Sequence, residues 1–179
     1  MSIREPQEFL DNVETELHKL SDSQRIVFGR LVCERYLPEY RSFSVQYGWG
    51  EPELLEEAVR FAESQRTERT GDRSQAEELL EKCVEATPDA DDFDTVLVDY
   101  AQDAAIMVCH LIQYFLEWDV KSIASIASKA RDLVDAKVQF EEKLNPSDPE
   151  LEFRIASSPL MQAELASLDH LLTEASHSN

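Results

Sequence analysis

A short acidic turn at residues 88–95 comes closest to a metal-binding pattern in this chain. Its four aspartates are Asp89, Asp91, Asp92 and Asp94. Calcium and magnesium prefer such carboxylate oxygens, but an EF-hand loop that began at Asp89 would need glycine and glutamate at its sixth and twelfth positions. The chain has Asp94 and Tyr100 there, and a DDxxD diphosphate site would need an acid in place of Thr95. The turn therefore predicts neither site, although four acids exceed what helix capping requires.

A second group of acids suggests magnesium-dependent hydrolysis of nucleotides, as in all-α pyrophosphohydrolases. One half of such a site would be Glu77, Glu78 and Glu81, and the other half would be Asp132 and Asp135. The two halves are further apart in the chain than that pattern usually allows, and acids at this spacing are common on solvated helices. A metal-dependent hydrolase is therefore an alternative hypothesis, and we assign no catalytic, metal-binding or cofactor-binding residue.

The stretch that follows the acidic turn predicts the central helix of the fold, at about residues 95–117. A helical wheel of 100° per residue places its polar side chains in one stripe about 100° wide, with the remaining surface almost wholly apolar. The stripe consists of Asp99, Gln102, Asp103, His110, Gln113 and Glu117. Two interpretations are open, a narrow strip that faces water and a polar seam that holds a ligand, a water chain or a partner. A lone histidine such as His110 favours a structural role.

Apolar residues recur at helical spacing in the rest of the chain, and glycine and proline are few, which indicates an all-α protein. We predict a compact bundle of six to eight helices in a single domain, residues 1–175, with a frayed tail at 176–179. Gly71 marks an internal loop. Pro38 is predicted to end the second helix, because proline lacks the N–H group that a helix interior needs.

The net charge of −20 narrows the class of partner. Between Lys82 and Lys121 the chain has no lysine or arginine and nine acids. Such a charge argues against nucleic acids and anionic membranes and favours a protein partner of basic character; homo-oligomers are compatible with it. An antitoxin-like inhibitor of a basic protein is a further alternative.

Three cysteines, Cys33, Cys83 and Cys109, lie far apart in apolar helical patterns and form no CxxC pair. They are predicted to be reduced core thiols. The first residues show no secretory signal pattern, so the sequence predicts a cytoplasmic protein.

Two segments resemble the DUF416 family of YjaG-like bacterial proteins. The first is residues 32–43, VCERYLPEYRSF, which match the family's CER…P.Y..F pattern, and the second is residues 88–104 with its ADDFD turn. The resemblance implies an α-helical bundle, usually cytoplasmic, without an established activity and linked to signalling by genome context alone. It marks a set of shared polar positions: Glu34, Arg35, Asp91, Asp92, Asp94 and Asp103.

These two motifs suggest one long-range contact. Arg35 belongs to a helix with little exposed surface, and a buried guanidinium needs a carboxylate partner. We predict that Arg35 pairs with Asp91, Asp92 or Asp94; the alternative is that its side chain extends along the bundle to water. Glu34 has a local partner available in Arg30, one turn earlier. The sequence as a whole favours a non-catalytic interaction or regulatory module, associated with signalling and without a cofactor.

Overall fold

The computed structural model describes residues 3–66 and 72–178. Within these ranges the chain forms eight α-helices and a 3₁₀ turn at Ala90–Asp92, with no β-strand. The helices are α1 Pro6–Lys19, α2 Asp22–Tyr47, α3 Pro52–Ser64, α4 Arg73–Glu85, α5 Leu97–Glu117, α6 Val120–Glu141, α7 Leu151–Ser157 and α8 Pro159–Ser176. The predicted all-α bundle is confirmed. The loop predicted at Gly71 lies outside the described residues, and the domain limits stay a prediction.

Helix α5 is the central element, as predicted. It contacts α2, α3, α4 and α6, and eleven of its residues are buried. A helix with an apolar surface over most of its circumference needs such cover on most sides. No helix in the described ranges is both long and apolar enough to cross a membrane.

Helix α2 does not end at Pro38 but continues to Tyr47, so that prediction was wrong. Proline cannot donate to the carbonyl group of Glu34, and an interior proline typically costs about 3 kcal/mol. The turns after Pro38 bury Tyr40 and Phe43 completely, and this burial offsets the missing hydrogen bond. Gly48, in the left-handed conformation, then ends the helix.

Gly29 allows α2 to approach α5 and α6 closely. A Cβ atom at this position would lie 2.9 Å from Leu111 Cδ1, 3.1 Å from Ile123 Cδ1 and 3.1 Å from Ile126 Cδ1. All three side chains are fully buried, so they have little room to move. Glycine therefore suits this close packing, despite its poor helix propensity.

Replacing Gly29 should test this close contact. Gly29→Val should lower the free energy of unfolding by ~1–3 kcal/mol, because extra methyl groups overpack the core. Gly29→Ala should cost less, since its better helix propensity returns ~1 kcal/mol. Urea unfolding of both variants measures these differences. A Gly29→Val protein as stable as the wild type would show that the three helices can separate freely.

Candidate functional site

The acidic turn before α5 keeps most of its carboxylates free. Asp89 accepts a hydrogen bond from the backbone N–H of Asp91 at 3.0 Å and so caps the 3₁₀ turn. Thr95, rather than Asp94, contacts the start of α5. Its hydroxyl oxygen accepts a hydrogen bond from the backbone N–H of Leu97 at 3.3 Å. The side chains of Asp91, Asp92 and Asp94 are exposed, and in the described part of the chain they make no ion pair or hydrogen bond.

Phe93 anchors this turn to the bundle. Its ring makes edge contacts with Phe43, Tyr47 and Trp49 at centroid distances of 4.9, 5.8 and 5.9 Å. Phe43 and Tyr47 belong to the part of α2 beyond Pro38. Aromatic packing at the end of α2 therefore holds the acidic turn in place.

The predicted contact between Arg35 and the turn is wrong. Arg35 Nη2 lies 2.6 Å from Glu164 Oε2 on α8, and Nη1 donates a hydrogen bond to the hydroxyl of Ser167. The turn packs near Phe43, eight residues further along α2, which is about 12 Å at 1.5 Å per residue. Arg35 is thus held at a different level of the helix and faces α8.

The other charged residue of the first motif, Glu34, pairs with its local partner. Arg30 Nη1 and Glu34 Oε2 are 2.7 Å apart, and Arg30 also lies 3.2 Å from Glu63 of α3. Glu34 therefore belongs to the interface with α3, whereas Arg35 belongs to the interface with α8. The family-shared polar residues are spread over separate places and do not form one site.

Beside the aromatic cluster, Tyr40 makes hydrogen bonds to two residues that line a groove. Its hydroxyl donates to the carbonyl of Ala86 at 2.6 Å and accepts from the N–H of Glu51 at 3.2 Å. Gly50 has a positive φ of 84°, and a Cβ atom there would overlap the Tyr40 hydroxyl. One fully buried tyrosine thus joins α2, the end of α4 and the segment that leads into α3.

The groove itself has a volume of about 720 Å³ and an acidic lining. It is lined by Trp49, Gly50, Glu51, Glu53, Leu54, Glu57, Lys82, Glu85 and Ala86. Among the described residues that line it, the one cation is Lys82, which lies 2.6 Å from Glu78. Among the described residues Glu51, Glu57 and Glu85 have no ion-pair partner, and all three are exposed.

Trp49 joins the groove to the acidic turn, because it lines the groove and contacts Phe93. We call the combined surface the acidic corner. It comprises Trp49, Glu51, Glu57, Glu85, Asp91, Asp92 and Asp94. The aspartates are visible in the sequence as one acidic turn, whereas the glutamates come from the start of α3 and the end of α4 and meet the turn only through the fold.

Another acidic groove lies between α1 and α8, with a volume of about 380 Å³. Here Arg4 supplies a cation. Its guanidinium binds Asp169 at 3.1 Å and lies 5.9 Å from the centre of the Phe9 ring. Since the arginine covers the aromatic ring and neutralises an acid, this groove offers less to a cationic ligand than the acidic corner does.

The polar stripe of α5 is mostly half-buried. Gln102 donates to the carbonyl of Pro88 at 2.9 Å, and Lys129 of α6 donates to Asp103 at 3.0 Å. Burial raises the pKa of Asp103, although Lys129 opposes the shift. These two residues therefore tie α5 to the acidic turn and to α6.

The remaining members of the stripe have different surroundings. Burial lowers the pKa of His110, which favours its neutral form at physiological pH. Gln113 donates to Glu117 at 3.2 Å on the same helix, and Asp99 is exposed. Neither the solvent strip nor the polar seam describes the whole stripe.

The three cysteines are free core thiols, as predicted; Cys33 and Cys83 are buried and Cys109 is half-buried. Burial raises the pKa of Cys83 to about 12 and that of Cys109 to about 11. The pKa of Cys33 is raised further by the same cause. Because the thiolate is the nucleophilic form, the environment suppresses their reactivity at neutral pH.

Four of the five acids proposed for a metal site have local partners, and Glu81 has none in the described part of the chain. Glu78 binds Lys82 on α4 at 2.6 Å, and Asp132 binds Arg131 on α6 at 3.0 Å. Across residues 3–66 and 72–178, no three histidine, cysteine, aspartate or glutamate side chains are placed to hold one metal ion. The geometry gives the hydrolase hypothesis no support.

A pair of phenylalanine substitutions should test the anchor of the acidic turn. Phe93→Ala should lower the free energy of unfolding by ~2 kcal/mol or more, somewhat below the ~3–5 kcal/mol typical of a fully buried phenylalanine. Phe153→Ala is the matched control, because Phe153 on α7 is exposed and its loss should change stability by only ~0.5 kcal/mol. Urea unfolding measures both, and equal losses would contradict the assigned anchor.

Comparisons with known proteins agree with the resemblance seen in the sequence. The chain is 29% identical over 117 residues to the uncharacterised protein YjaG of Escherichia coli, a match that covers 65% of this chain and 59% of that protein. It is 26% identical over 145 residues to YjaG of Salmonella typhimurium, covering 75% of this chain and 74% of that protein.

A solved structure shares the fold. The crystal structure of a DUF416 family protein from Shewanella baltica superposes with a TM-score of 0.80 at 20% identity, covering 92% of this chain and 84% of that chain. The family model described as a protein of unknown function, DUF416, matches residues 12–179. The chain therefore belongs to the DUF416 family.

Proposed function

We propose that this protein is a non-catalytic interaction module that binds a lysine- or arginine-rich protein segment at the acidic corner. The observation that carries the proposal is the combination of six unpaired, exposed carboxylates with a half-buried tryptophan on one surface. Three of these acids line the groove and three belong to the turn, with Trp49 between them.

Electrostatics favours a cationic ligand at this surface. Carboxylates without an ion-pair partner keep much of their negative potential, although Lys82 offsets part of that of Glu51 and Glu57, so they attract and orient a basic segment. An aromatic ring beside them adds a face for an ammonium or guanidinium group. Trp49 and Tyr47 would supply that contact, since tryptophan and tyrosine are enriched at interface hot spots.

The rigidity of the corner also supports binding. Tyr40 fixes the groove through two hydrogen bonds, and Phe93 fixes the turn through three aromatic contacts. A surface that is already ordered loses little conformational entropy when a ligand binds. The proposal includes a regulatory role in the cytoplasm, associated with signalling, and an inhibitor of a basic protein would use the same surface.

Charge-neutralising variants should test this proposal with a labelled, unstructured lysine-rich peptide. The turn variant carries Asp91→Asn, Asp92→Asn and Asp94→Asn. Its matched control carries Glu8→Gln, Glu152→Gln and Glu174→Gln, three exposed acids on α1, α7 and α8. Both triple variants have the same net charge, so they separate local from overall attraction.

The turn variant should bind ~10-fold more weakly than the control, because three exposed charge contacts at ~0.5 kcal/mol each amount to about one decade in affinity. Its binding should also depend less on salt, since fewer charges are screened. Fluorescence anisotropy at low and high salt measures both. Equal loss in the two variants would mean that only overall charge matters, and the assigned surface would be wrong.

A further inference from the structure

Glu164 is the one buried carboxylate in the described part of the chain, with only 2% of its residue surface exposed. It lies on α8 and faces α2. Its Oε2 atom pairs with Arg35 at 2.6 Å, whereas Oε1 is buried and has no hydrogen-bond partner within the described ranges. A buried acceptor without a hydrogen-bond partner destabilises the fold unless another group donates to it.

Tyr36 supplies the second unusual group at this interface. Its hydroxyl is also buried and makes no well-aligned hydrogen bond in the described part of the chain, but it lies within reach of the Glu164 carboxyl group. Burial and the neighbouring charge of Glu164 raise the pKa of Tyr36 well above its usual range. The two unsatisfied groups, Tyr36 Oη and Glu164 Oε1, are therefore neighbours that can satisfy each other.

Helices α2 and α6 contribute charged groups around Glu164 of α8. Helix α2 brings Arg35, which is partly exposed, and Glu39, and α6 brings Lys137, which binds Glu39 at 2.5 Å. Lys137 also lies 5.1 Å from the centre of the Tyr100 ring on α5. On α8 itself, Ser167 shares the guanidinium of Arg35. The two cations balance the two carboxylates when Glu164 is ionised.

We propose that the Glu164 carboxyl group is a buried proton-binding site that makes the packing of α8 on α2 respond to pH. A tyrosine hydroxyl can donate to an ionised carboxylate or accept from a protonated one. Rotation of the Tyr36 O–H bond therefore lets Oε1 find a partner with or without the proton. Both states fit the interface, but the ionised one places a charge in a region of low polarity.

The direction of the pH effect follows from opposing influences on the pKa of Glu164. Burial raises the pKa of this carboxyl group, and Tyr36, Arg35 and Lys137 oppose the shift without cancelling it. The folded protein then binds this proton more tightly than the unfolded chain does. The resulting stabilisation is present below the unfolded pKa and is lost as pH rises through the folded pKa.

A carboxyl ¹³C NMR titration of the intact protein tests the site directly. Glu164→Gln assigns the resonance by its loss, and Asp169→Asn is the control on the same helix, since Asp169 is exposed and pairs with Arg4. Glu164 should titrate at a higher pH than the usual value for a glutamate side chain. A midpoint at or below that value would show that the Arg35 ion pair dominates, and would overturn the proposal.

Unfolding in urea across the same pH range tests the coupling to stability. The stability of the wild type relative to Glu164→Gln should fall as pH rises, whereas the difference from Asp169→Asn should not show this fall. A flat or rising difference for Glu164→Gln would contradict the proposal. If Glu164→Gln does not fold, hydrogen exchange of the wild-type protein is measured instead. The amides of α8 should lose protection relative to those of α3 as pH rises. Unchanged relative protection would overturn the coupling.

Tyr36→Phe tests the role assigned to the hydroxyl. Both forms of the carboxyl group then lose a hydrogen bond, but the ionised form loses the stronger, charge-assisted one, so the titration midpoint of Glu164 should move further upward. An unmoved midpoint would remove Tyr36 from the site.

Discussion

The structure depends on the continuity of α2 through Pro38. With 26 residues this helix is about 39 Å long at 1.5 Å per residue, enough to span the bundle. Its first half packs closely against α5 and α6 at Gly29. Its middle pairs with α8 through Arg35, and its last turns support the acidic corner through Tyr40 and Phe43. A helix that ended at Pro38 would leave the acidic turn without its aromatic support.

The α8 interface and the proposed binding surface lie at different levels of one helix. The interface with α8 is closed and contains the buried Glu164, whereas the far end of α2 supports exposed carboxylates that the fold leaves unpaired. Mutual repulsion among exposed acids costs some stability, which the packing of Phe93 and the hydrogen bonds of Tyr40 offset. Unpaired charge that is held rigidly in this way is typical of a surface that meets an oppositely charged partner.

Periodicity predicted the helices and the central position of α5, because burial of an apolar face governs where a helix packs. The local rule that proline ends a helix failed at Pro38, where tertiary packing overrides it, and the charge-pairing argument failed at Arg35, whose partner lies on a distant helix. A signal for Glu164 was present, since it falls between Met161 and Leu168 on the apolar face of α8. The glutamates of the groove could not be predicted, because separate segments bring them together.

The most direct test of the account is an amide chemical-shift titration of the ¹⁵N-labelled protein with an oligolysine peptide. The acidic corner predicts perturbations concentrated in residues 47–57 and 82–99, which weaken as salt is added. Perturbations concentrated in the groove between α1 and α8, at residues 4–16 and 169–172, would contradict it. So would shifts spread evenly over the acidic surface, because they would show attraction to net charge without a defined site.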